Sequence, residues 1–541
     1  MKQYLIYIIC CILGFYANAQ EEFHVFSKND AKTPGSERGD GSLKAPWDLQ
    51  TALSQTPEVV KPGAVIWLHE GIYNGRFIST LKSLEPNTYV TVSGYKNDKV
   101  VLNGNVTSDR DVVLDVKGKQ VIFKDFDVTW LGDFSRNETD SNFETSVGIR
   151  HLSGENCKFY NLKIYNIPGL GFGSWKHAAG SVIENCMIYN NGYIAKDGKG
   201  RGEGIYVQNK SDEVRLIKRN IIFNNYYKGI EVWSAGKNAD FQYVKHITLE
   251  DNIIFNSGSP SGRFLDNVIV ASNDRNGINV ASNISVINNV LYHNTQQDNG
   301  RIIGDAPALT LGFHKNAPIE DVVVDGNIIV GGYNGLRILE AKTLQFTNNI
   351  VHTGIVQIGP TVSNHFRGWN SNGNVIYSRL KQPFRIPKVK DHSLESWTSN
   401  FNLDKQSQLI AITNFNLDPV VHLSQHSQHK NKYNLALFNA EGNAVTVDFS
   451  AYDIAANSGF KLYDVENPEV VLKSGKLSED LKISVPMKLT KIEKPRHNTK
   501  AKKTLSNFGV FMVEFDVEQV EISEDKKKDN AIKRFFKWLG F

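Results

Sequence analysis

The sequence predicts an all-β protein in which a right-handed parallel β-helix, a solenoid of stacked strands, is followed by a small C-terminal β-sandwich. A phrase that starts with Asn and continues with β-branched and aromatic residues recurs through the middle of the chain, whereas helical periodicity is almost absent. After about residue 395 the phrase disappears, and alternating polar and apolar segments typical of half-buried strands follow.

The recurring phrase marks the coils of the solenoid. Its leading residues are 29, 35, 32, 37, 38, 22 and 25 positions apart, which indicates one structural unit with insertions of variable length. Because stacked coils place equivalent residues about 4.8 Å apart, the repeated Asn side chains are expected to form a ladder of amide hydrogen bonds. In this alignment Cys157 and Cys186 are equivalent, as buried thiols or as a bridge. The leading residues are Asn156, Asn185, Asn220, Asn252, Asn289, Asn327, Asn349 and Asn374.

Chain length, net charge and cysteine content limit the classes of protein to which this chain can belong. A chain of 541 residues predicts a large domain with at least one smaller one. A net charge of +4 is too small to indicate bulk nucleic-acid binding, so no nucleic-acid partner is expected. Only two of the four cysteines lie beyond residue 19, too few for a disulfide scaffold. We expect a monomer that is stabilised by packing.

The two ends of the chain differ from the rest. Lys2, the apolar residues 4–16 and Ala17-Asn18-Ala19 read as a secretory signal peptide, which predicts export to the periplasm or out of the cell. No other apolar stretch approaches the roughly 20 residues of a transmembrane helix. The predicted organisation is a signal peptide at 1–19, the β-helix at 20–395, the β-sandwich at 396–520 and a basic amphipathic tail at 521–541.

The segment ahead of the coils carries a resemblance. Residues 45–53 read APWDLQTAL, residues 61–68 read KPGAVIWL and residues 71–75 read GIYNG. This opening resembles that of exported bacterial right-handed parallel β-helix proteins that act on carbohydrates, of the polysaccharide lyase and glycoside hydrolase type, and the resemblance extends over roughly residues 22–395. It implies a short helix that caps the solenoid and an activity on a glycan. The C-terminal part resembles the all-β modules of many glycan-active enzymes, and no chemistry is expected there.

Aligning the strands that precede the Asn phrases predicts a polar and aromatic groove on the outer face of the middle coils. Gly171 and Gly173 are expected to leave a hollow that admits a sugar ring, and Trp175 and Trp233 to stack on sugars. His177 and His314 follow their strands on the same side. The outer row is predicted to contain Arg150, Gly171, Tyr206, Glu231, Thr310 and Arg337, the next row Gln208 and Trp233, and the position ahead of the strand Glu203, Lys228 and Asp266.

These residue types favour β-elimination from a uronic acid of an anionic poly- or oligosaccharide, by a lyase or a dehydratase. The carboxylate of the sugar must be neutralised while a base removes the proton from the adjacent carbon. We expect His177 or Lys228 as the base, Tyr206 as the proton donor, and Arg201 with Gln208 as the carboxylate clamp. The remaining predicted substrate contacts are Trp175, Trp233, Asp266, His314 and Arg337.

Two alternatives remain open at this stage. An inverting glycoside hydrolase would use two carboxylates among Glu203, Glu231 and Asp266. Glu203 and Asp266 are expected about two coil spacings apart, with Glu231 between them. The paired Asp-Asp phrase of the polygalacturonase branch is absent from these strands. The second alternative is a noncatalytic glycan-binding solenoid.

Calcium is a candidate cofactor, because β-helix lyases that resemble this architecture often use it to neutralise the substrate carboxylate. Glu231, Asp266 or Asp274 could supply the oxygen ligands that calcium prefers. No tight set of ligands stands out in the sequence, so no metal site is predicted.

Overall fold

A computed structural model describes residues 20–295, 304–412, 415–417, 419–498 and 500–516. The predicted signal peptide at 1–19 and the predicted tail at 521–541 lie outside the described residues. The described chain folds into three sheets of twelve strands each, parallel except for the last strand of one sheet, followed by an antiparallel module. The predicted parallel β-helix is therefore confirmed.

Each coil of the solenoid contributes one strand to each of three sheets, here called sheets I, II and III in their order along a coil. Sheet I contains Glu22–Val25, Val65–Leu68, Val90–Gly94, Val121–Lys124, Lys158–Tyr160, Val182–Glu184, Arg215–Lys218, Lys245–Glu250, Ser282–Ile287, Glu320–Asp325, Leu344–Thr347 and Trp369–Asn372. Sheet II contains Gly71–Asn74, Val100–Asn103, Asp127–Thr129, Lys163–Tyr165, Met187–Tyr189, Ile221–Phe223, Ile253–Phe255, Val290–Tyr292, Ile328–Val330, Ile350–His352, Val375–Ser378 and Gln408–Ala411. Sheet III contains Phe77–Ser79, Val112–Val116, Val147–Glu155, Phe172–Ala179, Ile205–Val207, Ile230–Ser234, Val268–Ser272, Leu309–Leu311, Leu336–Ile338, Val356–Ile358, Phe384–Ile386 and the antiparallel Lys390–His392.

Short helices lie at both ends of the apolar interior. The helix Leu49–Leu53 buries Leu49, Ala52 and Leu53, and the Asp48 side chain caps it by accepting from the Thr51 N–H at 3.2 Å. At the other end the helix Leu394–Phe401 inserts Trp397, whose ring stacks on Phe384 at 4.9 Å. Two 3₁₀ segments are also present, a one-turn segment at Ser259–Ser261 and a longer one at Val362–Gly368. Among the described residues no helix is long and apolar enough to cross a membrane.

The predicted asparagine ladder runs along the turn between sheets I and II from Asn220 to Asn374. Each Nδ2 donates to the Oδ1 of the next Asn at 2.9 to 3.2 Å, and all these side chains are buried. Buried amides that are fully hydrogen-bonded in this way fix the register of the coils.

The first two phrases do not join the ladder. The Cys186 N–H donates to the Oδ1 of Asn220, so Cys186 and not Asn185 occupies the ladder position. Asn156 precedes a strand of sheet I instead of sheet II. Asn156 and Asn185 have left-handed φ angles of 55° and 56°, which Asn tolerates better than most residues. Cys157 and Cys186 are therefore buried free thiols next to different sheets, and the predicted equivalence was wrong.

The antiparallel module is a sandwich, as predicted. Its five-stranded sheet has the order Val420–Gln425, Lys432–Phe438, Phe508–Asp516, Gly459–Asp464, Val471–Lys476, and its second sheet pairs Val445–Asp448 with Lys482–Val485. The strand Gln408–Ala411 still pairs with Val375–Ser378 of sheet II. The solenoid thus extends past residue 395, because the helix Leu394–Phe401 caps the last coil before a final strand is added.

The sandwich packs along the side of the solenoid, on the outer face of sheet II. There Tyr165, Tyr189, Phe223 and Phe255 stack in successive coils with ring centroids 4.8 to 5.2 Å apart. Phe508 of the sandwich stacks on Tyr292 at 3.9 Å. These contacts form a second apolar core between the two modules.

Candidate active site

Sheet III carries a continuous row of outward side chains across its middle coils. The register agrees with the predicted row for all but one residue, and Arg150, Gly173, Tyr206, Glu231, Ile269, Thr310 and Arg337 are neighbours in successive coils. The next row contains Gln208 and Trp233, also as predicted. Because parallel strands hold equivalent residues about 4.8 Å apart, side chains of three or four coils can act on one ligand.

The predicted hollow at Gly171 was wrong. Gly173 and not Gly171 aligns with Tyr206, and Gly171 is buried among Gly204, Ile188 and Asn191. A methyl group on Gly173 would lie 2.9 Å from the indole Nε1 of Trp175. The edge of Trp175 therefore covers the gap that the glycine leaves.

Three charged residues that lie just ahead of strands of sheet III are neighbours in successive coils. Backbone hydrogen bonds of 3.0 and 3.1 Å from Gly204 to Lys228 and from Gly229 to Asp266 place Lys228 between Glu203 and Asp266. The ammonium of Lys228 also donates to Oε1 of Glu231, and both side chains are buried. Burial alone would lower the pKa of Lys228, but the carboxylates of Glu231 and Asp266 outweigh it and raise this pKa. Lys228 is therefore held as an ammonium.

Asp266 has its own cation. Nη2 of Arg337 donates to Oδ1 of Asp266 at 2.6 Å, and Nε of Arg337 donates to Oγ1 of Thr310 at 2.8 Å. The Thr310 hydroxyl donates in turn to Asp266. Glu203, Glu231 and Asp266 with Lys228 and Arg337 form a set of three carboxyl groups and two cations, here called the charged cluster.

Glu203 is the carboxyl group of this cluster without a dedicated partner. Within the part of the chain that the structure describes, its side chain forms no hydrogen bond to another residue and no ion pair, although it is half-buried. Burial and the neighbouring Glu231 raise the pKa of Glu203 to about 7. A carboxyl group that titrates near neutral pH is suited to give or take a proton during catalysis.

Tyr206 supplies a hydroxyl group beside these carboxylates. Its oxygen accepts from Nε2 of Gln208 at 3.2 Å, and the same nitrogen donates to the Trp233 carbonyl at 3.1 Å. Burial, followed by the charges of Glu231 and Glu203, raises the pKa of Tyr206, so the phenol keeps its proton at neutral pH. The ring of Trp175 lies 5.2 Å from that of Tyr206 and forms an apolar border.

A cleft of about 1090 Å³ opens next to the charged cluster, and Lys228, Asp266, Thr310 and Arg337 are among its walls. Phe313 also lines it, half-exposed, with its ring 5.1 Å from that of Trp233 in a T-shaped contact. Phe313 was missed by the sequence analysis, although it directly precedes His314. An exposed aromatic ring in a polar cleft is a surface on which a sugar can stack.

Three predicted site residues lie outside both the charged cluster and the two rows. His177 lies four residues beyond Gly173 on the strand Phe172–Ala179, which is roughly 13 Å along the strand. The guanidinium of Arg201 binds Asp197 at 3.0 Å on the hairpin formed by Tyr193–Ile194 and Gly200–Arg201. His314 lies in the turn after Leu309–Leu311, where Nδ1 accepts from the Asn316 N–H at 3.3 Å.

The carboxylates proposed as calcium ligands do not fit that role. Glu231 is paired with Lys228, and Asp266 with Arg337. Asp274 accepts from the backbone N–H groups of Ala239, Ile278 and Asn279 at 2.7 to 3.1 Å. Calcium needs six to eight oxygen ligands, whereas these oxygens are already satisfied by donors. The described residues contain no group of three or more His, Cys, Asp or Glu side chains arranged to hold a metal ion.

Replacing Lys228 by Met should raise the pKa of Glu203 further, because the ammonium of Lys228 lowers it. We expect the titration midpoint of Glu203 to move upward. Carbon-13 NMR of glutamate-labelled protein, with the Glu203 signal assigned through Glu203→Gln, measures this midpoint. Lys176→Met is the control, because Lys176 lies over the rings of Phe241 and Tyr243. An unchanged midpoint in Lys228→Met would contradict the electrostatic coupling.

Comparison with known proteins supports the fold. Residues 87–243 match the family profile described as a right handed beta helix region. No curated protein sequence matches the chain.

Solved structures resemble the chain at low identity. A pectate lyase is 14% identical over 68% of this chain and 78% of its own, with a TM-score of 0.41. A complex of XylC with xylose is 10% identical over 91% of this chain and 100% of its own, with a TM-score of 0.46. A GH136 lacto-N-biosidase from Eubacterium ramulus is 13% identical over 72% of this chain and 68% of its own, with a TM-score of 0.44.

Proposed function

We propose that the protein is a carbohydrate-active enzyme, a carbon–oxygen lyase that performs β-elimination at a uronic acid residue of an acidic poly- or oligosaccharide. The observation that carries this proposal is the carboxyl group of Glu203, which forms no ion pair among the described residues, has a pKa raised to about 7, and precedes in line Lys228 and Asp266, which line a cationic cleft. The secretory pattern at residues 1–19 supports a site of action in the periplasm or outside the cell.

In this mechanism the carboxylate of Glu203 removes the proton from the carbon next to the carboxylate of the sugar. The electron pair of that C–H bond forms a carbon–carbon double bond to the neighbouring carbon, whose bond to oxygen breaks. Tyr206 gives its proton to the departing oxygen, which leaves as an alcohol of the sugar chain or as water. Lys228 and Arg337 provide positive charge that stabilises the extra negative charge on the substrate carboxylate.

Glu203 takes the place of the bases expected from the sequence. Lys228 is paired with Glu231 and flanked by Asp266, so its ammonium keeps the proton that a base must lack. His177 is exposed and lies beyond the aromatic border formed by Trp175, on the side of the row away from Lys228. The predicted role of Tyr206 as proton donor is retained, because its oxygen accepts from Gln208 and leaves the O–H free to donate.

Glycoside hydrolysis is the second candidate, because the raised pKa of Glu203 also suits a general acid. In that reaction protonated Glu203 would protonate the glycosidic oxygen, and the carboxylate of Glu231 or Asp266 would activate water. Both mechanisms use the carboxyl group of Glu203, and they differ in which of its protonation states is active.

Product analysis separates the candidates. The purified protein is incubated with polygalacturonate, alginate and polyglucuronate, and both ultraviolet absorbance of an unsaturated uronate and new reducing ends are followed. We expect the absorbance to rise. New reducing ends without absorbance would establish hydrolysis, and binding without either product would support the noncatalytic solenoid.

The direction of the pH dependence is a second, independent test. If Glu203 acts as the base, kcat/KM rises with pH through about 7, because the ionised fraction of this carboxyl group rises there. If Glu203 acts as the acid, kcat/KM falls across the same range. We expect the rising limb. A Glu203→Gln variant with the same limb would show that another group is being titrated.

A further inference from the structure

One wall of the cleft belongs to the C-terminal module. Residues 493–498 and 500–505, here called the strap, connect the strands Lys482–Val485 and Phe508–Asp516 and run along the turns between sheets II and III. Lys500, Lys502, Lys503 and Leu505 of the strap line the same cleft as Lys228 and Asp266. The sandwich is therefore a structural part of the candidate active site.

Hydrogen bonds from successive coils hold the strap in this position. Asn190 Nδ2 donates to the Glu493 carbonyl at 3.2 Å, and Nδ2 of Asn498 donates to the Pro260 carbonyl at 3.0 Å. Nδ2 of Asn294 donates to the Lys503 carbonyl at 3.0 Å, while its Oδ1 accepts from the Leu505 N–H at 3.1 Å.

The buried guanidinium of Arg136 adds a further anchor. Its Nε donates to the Arg496 carbonyl at 3.1 Å, and its other nitrogens bind carbonyl and amide oxygens of the solenoid. A segment held by several coils presents its side chains at fixed places, which favours preorganised binding.

The charge balance of the cleft indicates what it binds. Six of its side chains are cationic and two are acidic, namely Lys228, Arg263, Arg337, Lys500, Lys502 and Lys503 against Asp266 and Asp305. Lys228 and Arg337 are paired within the charged cluster, and Lys503 is paired with Asp464 and Glu466.

Arg263, Lys500 and Lys502 remain as exposed cations. Across the residues that the structure describes, none of these three has an ion pair, and Lys500 extends over Gly262, next to Arg263. The strap and the turn at Ser259–Ser261 thus form a cationic rim of the cleft that Lys228 and Asp266 also line.

We infer that the strap is a substrate-binding element, in which Lys500 and Lys502, together with Arg263 of the solenoid, bind an acidic group of the sugar chain away from the reacting ring. This inference rests on the proposed function and deepens it, since it assigns the C-terminal module to recognition of an acidic oligosaccharide that is longer than one residue. A ring that reacts at Glu203 and Tyr206 extends its chain across Lys228 and Asp266 to this rim. Carboxylate and sulfate groups are the ligands that such cations select.

The test is a double variant, Lys500→Ala with Lys502→Ala, in the full chain. Affinity electrophoresis in gels that contain polygalacturonate, alginate or polyglucuronate measures binding without turnover, and kinetics on the polymer that is degraded give KM and kcat. We expect about a tenfold weaker binding and a KM raised by the same factor, with kcat within about twofold of the original protein. The loss should shrink as salt is added, because exposed charges are screened.

Lys488→Ala with Lys491→Ala is the matched control. It removes the same charge from the same module at two exposed lysines that do not line the cleft. Equal binding by the strap variant and the original protein would overturn this inference and leave the proposed chemistry intact. If the original protein binds none of the three polymers, the acidic substrate class fails, and the inference fails with it. Equal weakening in both double variants would show a nonspecific charge effect and would also overturn it.

Discussion

Replacing Glu203 by Gln is expected to lower kcat by about 10²- to 10⁴-fold, the usual contribution of a general acid or base. Gln has the same shape but cannot exchange a proton, so the loss reports chemistry and not packing. Because Glu203 forms no hydrogen bond to another residue and no ion pair among the described residues, and the Gln oxygen can still accept from the backbone N–H of residue 203, the substitution leaves no partner unsatisfied. Substrate binding should therefore stay within a fewfold of the original value. Initial rates on the degraded polymer, with binding measured by affinity electrophoresis, check both parts.

The matched control for this variant is Glu155→Gln. Glu155 lies at the end of the strand Val147–Glu155 of the same sheet, and its exposed carboxylate pairs with Lys119 at 2.8 Å. We expect this control to keep full activity. A Glu203→Gln protein that retains most of its kcat would remove Glu203 from the mechanism in both the elimination and the hydrolysis reading.

Replacing Asn289 by Leu should destabilise the solenoid by roughly 3 kcal/mol or more. Oδ1 of Asn289 accepts from both the backbone N–H and Nδ2 of Asn252, at 3.0 and 2.9 Å. Its Nδ2 donates to Oδ1 of Asn327 at 3.0 Å. All three residues are buried, so the variant leaves donors and an acceptor without partners in an apolar interior. Guanidinium unfolding followed by circular dichroism measures the shift of the midpoint.

Asn370→Leu is the comparison for this stability test. Asn370 is exposed on the sheet I strand Trp369–Asn372, and surface substitutions of this kind usually change stability by less than about 0.5 kcal/mol. If the two variants unfold at the same denaturant concentration, the ladder does not stabilise the protein in the way its hydrogen bonds indicate.

The repeated phrase was sufficient to predict the fold, because stacking coils makes each position face the same environment. The phrase misaligned the coils where Asn is favoured in two different places, at the ladder position and in a left-handed turn. Asn185 precedes the ladder position in a left-handed turn, which favours Asn as strongly as the ladder does. The alignment at Gly171 slipped by two residues, and such a slip preserves the alternation of inward and outward side chains. Hydrophobicity alone cannot detect it.

The alignment of the candidate site residues in rows was predicted from the sequence, whereas their chemical roles stay predictions. Tyr206, Gln208, Lys228, Glu231 and Asp266 meet because they share rows, which the sequence reveals. The pairing of Lys228 with Glu231 depends on side-chain conformations, which no repeat in the sequence reveals. The strap could not be foreseen, because contacts such as that between residues 294 and 503 join segments 209 positions apart without any shared pattern.

The column of stacked rings on sheet II limits where the chain can be cut into separate modules. Without the sandwich, Tyr189, Phe223, Phe255 and Tyr292 would face water as one continuous aromatic stripe. Stripes of this kind drive self-association. The C-terminal module therefore acts as an intramolecular solubility partner for the solenoid, and the change in sequence character near residue 395 is no place at which to cut the chain or to exchange modules between relatives.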